Sequence, residues 1–87
     1  MTREDIINLI AGILEISYDE ANNIKDDESL EYIGLTSIKA INLIVKIEKK
    51  LGQEFNNEDL ISSKVDSINL ILDICNKYEN IKKNKES

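Results

Sequence analysis

Hydrophobic positions along this chain recur at helical spacing far more often than they alternate. Ile6, Ile10, Ile13 and Ile16, joined by Leu9 and Leu14, trace one face of a first helix running from about Arg3 to Ile16. Thr2 is placed to cap it, with Asp5 three residues on in a variant of the capping box. Glu4 and Asp5 also suit the positive end of the helix dipole. Gly12 interrupts this helix at a cost of about 1 kcal/mol relative to alanine, and close packing is the expected reason for it.

Polar residues then take over. Ser17 to Thr36 reads as a long acidic connection carrying Asp19, Glu20, Asp26, Asp27, Glu28 and Glu31. Connections of this length inside a compact domain are uncommon and often functional. Leu30, Ile33 and Leu35 are expected to pin it to the core, and Ser29 to Tyr32 to start a single helical turn. A second helix runs from Ser37 to near Leu51, where Gly52 provides a left-handed stop. Asn56 or Asn57 caps a short third helix to Ile61. The last helix spans about Asp66 to Tyr78, with Ile68, Ile71, Leu72, Cys75 and Tyr78 on one face. The domain is expected over 1–79, followed by a polar, Lys-rich and frayed tail over 80–87.

The second helix has two apolar faces rather than one. At 100° per residue, Ala40, Leu43, Ile44, Ile47 and Leu51 cluster on a side suited to the core. Ile38, Ile41 and Val45 form a second stripe centred about 140° away, with Glu48 on one flank and Lys49 on the other. One stripe is enough to bury a surface helix. The second therefore packs against another helix of the domain or lies exposed as a docking strip.

Composition narrows the function. Eighty-seven residues make one domain, too small to enclose a deep catalytic cavity. The net charge of -6 argues against nucleic acid as a partner. The absence of histidine removes the commonest general base and metal ligand. Cys75 is the only cysteine, so no internal disulfide forms and a reducing compartment is expected. Its neighbours Leu72, Ile74 and Tyr78 mark it as a buried structural thiol. With no signal peptide and no run as long as a membrane span, a soluble, cytoplasmic monomer is expected. The abundance of Ile, Asn and Lys is the bias of AT-rich coding sequence, as in some bacteria.

Gly34-Leu35-Thr36-Ser37-Ile38, then an apolar helix, then Leu51-Gly52-Gln53-Glu54-Phe55, resembles the attachment region of acyl and peptidyl carrier proteins. The resemblance extends over most of the chain. It implies an all-α, four-helix bundle of acyl-carrier type, with a long loop between helices 1 and 2 and a short third helix. It further implies that Ser37, with Gly34, Leu35 and Thr36 around it, receives 4'-phosphopantetheine from coenzyme A through a Mg²⁺-dependent phosphopantetheinyl transferase. A freestanding carrier of this kind catalyses nothing itself. It holds acyl or aminoacyl groups as thioesters and presents them to a loading enzyme and a downstream synthase or transferase. The physics is compatible: a serine at a helix start lies where unpaired N–H groups and the dipole favour a phosphate. Gly34 permits backbone angles that a side chain would forbid. Capping of the helix by Thr36 or Ser37 accounts for the same residues more simply, and is compatible with attachment.

Two departures matter. Most members of the family have Asp immediately before the serine, where this chain has Thr36. The helix after the serine, usually acidic in fatty-acid carriers, here holds Lys39, Lys46, Lys49 and Lys50 against Glu48, a net of +3 that leaves -9 on the rest. Complementary charge would then select different partners, with Ile38, Lys39, Ile41, Val45, Lys46 and Lys49 as the expected contacts. A specialised polyketide, nonribosomal peptide or aminoacyl-transfer pathway fits better than housekeeping fatty-acid synthesis. The rival class is a non-carrier helical adaptor binding a partner through Ile38, Ile41 and Val45. A calcium sensor lacks the spacing of a calcium loop, and an enzyme lacks a base or ligand set.

Overall fold

The computed structural model describes residues 1–56, 58 and 65–86, the last seven as backbone alone. It is the expected all-α, acyl-carrier-type bundle, with no strand among the described residues. Its helices are α1 (Arg3–Leu14), α2 (Tyr18–Asn22), α3 (Ser37–Leu51) and α4 (Ile68–Glu86), with a 3-10 turn at Glu31–Ile33. The short helix expected up to Ile61 rests on residues outside those described.

The first helix begins as its cap predicts. Thr2 Oγ1 accepts the Asp5 N–H at 3.2 Å and Asp5 Oδ2 accepts the Thr2 N–H at 3.0 Å. It ends two residues sooner than the apolar period indicated, because Glu15 turns left-handed (φ 58, ψ 43). The Ile16 N–H then donates back to the Ala11 carbonyl at 3.0 Å, a Schellman-like close made without glycine. Close packing does not explain Gly12: a Cβ there would meet nothing within 4 Å.

The long connection contains a helix that hydrophobic period does not reveal. Ser17 and Glu20 form a reciprocal capping box and start α2. Its Ala21 is buried, as are Ile24, Leu30 and Leu35 further along. Ile33 does not join them: it lies on the outer side of the 3-10 turn, 38% exposed. The helical turn expected from Ser29 is this 3-10 turn, two residues later. Arg3 ties the connection to α1, donating to Asp26 Oδ1 at 2.9 Å and Asn22 Oδ1 at 2.8 Å.

The core lies where α1, α3 and α4 meet. Ile6, Ile7 and Ile10 from α1, Leu43, Ile44 and Ile47 from α3, and Ile68, Ile71 and Cys75 from α4 are all buried. Ile7 is a core member outside the first-helix stripe. Ser67 caps α4, its Oγ accepting the Leu70 N–H at 3.1 Å, so that helix begins two residues after the expected Asp66. It also continues past Tyr78 to Glu86. After Gly52 (φ 69) the chain folds onto α4: Phe55 stacks on Tyr78 with centroids 4.3 Å apart. Glu48 Oε2 accepts the Phe55 N–H at 2.7 Å, and Tyr78 Oη accepts the Asn56 N–H at 2.8 Å.

Candidate functional site

The approach to α3 is built by two buried leucines on either side of an exposed turn. Leu30 and Leu35 enter the core, and the Leu35 N–H donates to the Leu30 carbonyl at 2.9 Å, closing the loop between them. Tyr32 at the tip is 91% exposed. Gly34 takes φ 112, ψ 2 and donates its N–H to the Glu31 carbonyl at 3.2 Å. Its glycine is required by this positive φ and not by crowding, since an added Cβ would meet only Leu14 Cδ2 at an ordinary 3.7 Å.

A second anchor is Asp66, which periodicity assigns only to the start of the last helix. Its carboxylate accepts the Ser29 hydroxyl at 2.7 Å and the Glu31 N–H at 3.0 Å, and its carbonyl accepts the Leu30 N–H at 2.7 Å. The Asn69 N–H reaches back to the Asp26 carbonyl at 3.0 Å. These bonds hold the segment before α3 against α4. No local pattern marks Asp66 for this role, because its partners lie more than thirty residues away in sequence.

The helix itself starts on a threonine cap. Thr36 is extended (φ -67, ψ 169); its Oγ1 accepts the Lys39 N–H at 3.3 Å and its carbonyl accepts the Ala40 N–H at 2.8 Å. Ser37 is therefore the first helical residue and is exposed. Its hydroxyl, its N–H and the N–H of Ile38 have no partner among the described residues. Thr36 does the capping, which leaves the serine oxygen uncommitted.

Charge around this end differs from that at the starts of α1 and α2 and matches that of α4, whose first turn also holds no acid. Glu4 and Asp5 occupy the first turn of α1 and Asp19 and Glu20 that of α2, whereas the first turn of α3 holds no acid. Lys39 stands there instead. Two unpaired N–H groups and the dipole thus stand beside the Ser37 hydroxyl with no carboxylate of that turn to neutralise them. A phosphodiester on Ser37 fits this arrangement, and Gly34, Leu35 and Thr36 fit it by shaping the backbone that presents the hydroxyl.

Beyond Ser37, the second apolar stripe of α3 is exposed rather than packed on another helix of the described domain. Ile38 is 74%, Ile41 55% and Val45 41% exposed, while Ala40, Leu43, Ile44, Ile47 and Leu51 on the opposite side are buried. Lys46 and Lys49 are exposed and Lys39 half-buried. Glu48, expected only as a flank of the stripe, is engaged with the Phe55 backbone. Val45 and Lys49 also border a hollow with Gly52 and Gln53 at the far end of the helix.

Cys75 takes no part in this surface. It is buried, with Sγ 3.8 Å from Met1 Sδ. Desolvation pushes its thiol up to about 11, with Glu79 adding in the same direction. Among the described residues no group of three His, Cys, Asp or Glu could hold a metal, and no helix there is long and apolar enough to cross a membrane.

Comparison with known proteins addresses the same segment. No curated protein and no solved structure matches the chain. A family model described as phosphopantetheine attachment site matches residues 4–69. That span runs from the first turn of α1 into α4 and includes the Gly34–Ser37 approach. The chain belongs to the phosphopantetheine-attachment family, the carrier proteins that hold their cargo as a thioester on covalently bound 4'-phosphopantetheine.

Proposed function

We propose that Ser37 is the attachment residue and that the chain carries acyl or aminoacyl groups for a specialised pathway of polyketide, nonribosomal peptide or aminoacyl-transfer type. The observation that carries the assignment is the uncommitted Ser37 hydroxyl at an acid-free helix start. Thr36 supplies the cap, so the serine oxygen can become the ester oxygen without unmaking the first turn of α3. The Ser37 and Ile38 N–H groups and the helix dipole favour the resulting negative charge, a contribution of about 0.3–1 kcal/mol at an exposed helix end. When bound, 4'-phosphopantetheine supplies a terminal thiol on which cargo is held as a thioester.

Thr36 retains the capping function of the family's usual Asp but brings no charge. A transferase that uses this carboxylate for metal and water contacts would modify Ser37 slowly, and Thr36→Asp should restore the rate. Incubation with coenzyme A, Mg²⁺ and a broad-specificity transferase should add one phosphopantetheine by intact mass, with none on a Ser37→Ala control.

The exposed stripe and its cations support the assignment of a specialised pathway. Ile38, Ile41 and Val45 offer apolar contact, while Lys39, Lys46 and Lys49 give α3 a sign opposite to the rest of the chain. Enzymes with basic docking faces would be repelled by this helix. Lys39→Glu and Val45→Asp should each lower the loading rate with the cognate enzyme while leaving the far-UV circular dichroism unchanged. Unchanged loading in both variants would remove the stripe from the partner surface.

A further inference from the structure

Three of the α3 lysines do not simply radiate into solvent. Lys39, Lys46 and Lys49, together with Val45, form one wall of a groove whose other wall is the end of α1 at Gly12 and Ile13. Asn42 lies between the lysines, and Glu15 is the one carboxylate lining the groove. None of the three ammonium groups is ion-paired among the described residues. Lys39 and Lys49 are ten positions apart, so the cations spread over about 15 Å of helix axis. This basic wall belongs to a chain of net charge -6.

Gly12 lines the groove on the α1 side. It has ordinary helical φ, and its missing Cβ would meet nothing within 4 Å, so neither backbone angle nor internal packing accounts for the glycine. What it does is leave bare backbone opposite the lysines, where another chain can approach closely. Ile13 beside it and Val45 across from it supply apolar contact within the same groove.

Taking the carrier reading as its basis, we propose that this α1–α3 groove receives an acidic amphipathic helix from the enzyme that loads or unloads the carrier. Its carboxylates meet Lys39, Lys46 and Lys49, its apolar residues meet Val45 and Ile13, and its closest turn lies over Gly12. The lysine spread asks for a partner helix of about three turns with acids repeated along one flank. A polyanion such as nucleic acid is a poorer occupant, since three lysines neutralise few phosphates and the acidic remainder repels the rest.

The test is an NMR titration of the ¹⁵N-labelled full chain with two designed 18-residue helical peptides, one patterned Leu/Glu and the other Leu/Lys. The Leu/Glu peptide should give saturable shifts at Gly12 and along 39–49, at least tenfold tighter than the Leu/Lys peptide and weakening with added salt. Combined Lys39→Glu, Lys46→Glu and Lys49→Glu should reverse the preference, and Gly12→Leu should weaken Leu/Glu binding several-fold, more than Gly12→Ala. Equal affinity for both peptides, no saturable shift with either, or shifts confined away from Gly12 and α3 would overturn the groove assignment. Intact mass after transferase treatment is read on the same wild-type sample and on Thr36→Asp. Mass gain without groove binding overturns the groove alone, whereas absence of mass gain on both the wild type and Thr36→Asp counts against the carrier reading.

Discussion

Replacing Gly12 by alanine should make the protein more stable, and the size of the gain follows from its surroundings. Gly12 sits in the last turn of α1 with negative φ, so alanine adopts the same backbone without strain. A Cβ would touch no atom within 4 Å, so no overpacking offsets the gain. What remains is the lower conformational entropy of the unfolded chain, about 0.5–1 kcal/mol. For a domain of this size each kcal/mol moves Tm by about 4–8 °C, which predicts a rise of about 2–8 °C. Urea unfolding followed by circular dichroism should show a higher midpoint at unchanged slope. Gly34→Ala is the internal control: at φ 112 a side chain is strained, and a loss of about 1–3 kcal/mol is expected. If Gly12→Ala were neutral or destabilising, space that is open in the fold would have to be filled, and the α1–α3 groove would be wrongly drawn. Opposite signs at the two glycines distinguish a residue kept for its backbone from one kept for its vacancy.

Asp66→Ala should cost about 1–3 kcal/mol by removing acceptors from the Ser29 hydroxyl and the Glu31 N–H. Hydrogen exchange should quicken first at Glu31, and unchanged exchange there would mean that Asp66 does not hold the approach to Ser37. Cys75 should resist thiol reagents in the native apo protein at pH 8, its labelling rising only as pH nears the raised value of about 11. The same shift has a stability consequence. The thiol ionises above its ordinary value of 9.0 when folded, so its contribution is complete below pH 9 and is lost as pH rises through about 11. Fast labelling at pH 8 would contradict the burial, and a carrier bearing the arm should label once under those conditions, at the arm thiol.

Much of this was legible in the sequence where local chemistry decides. The α3 boundaries follow from a threonine cap and a left-handed Gly52, and both held because each cap acts within four residues of its own helix. The stripe of Ile38, Ile41 and Val45 was visible as a second apolar face, but period alone could not say whether another helix covered it. Its exposure depends on where α1 and α4 pack. The boundary of α1 was missed because Glu15 adopts a left-handed turn without glycine, and no residue type announces that. The start of α2 was legible in principle, since Ser17 and Glu20 have capping-box spacing, yet its five residues are too short for an apolar period. Gly12 was misread for the opposite reason: a glycine in a helix implies close packing or vacancy equally, and only the three-dimensional neighbours distinguish them. Asp66 and the Glu48–Phe55 bond are tertiary contacts with no local signature.

The most direct test of the account is intact mass of the apo protein after incubation with coenzyme A, Mg²⁺ and a broad-specificity phosphopantetheinyl transferase, beside Ser37→Ala and Thr36→Asp. Ser37 as the attachment residue predicts one added phosphopantetheine on the wild type, none on Ser37→Ala, and faster addition on Thr36→Asp. Addition that persists in Ser37→Ala, or no addition to either wild type or Thr36→Asp, would contradict it.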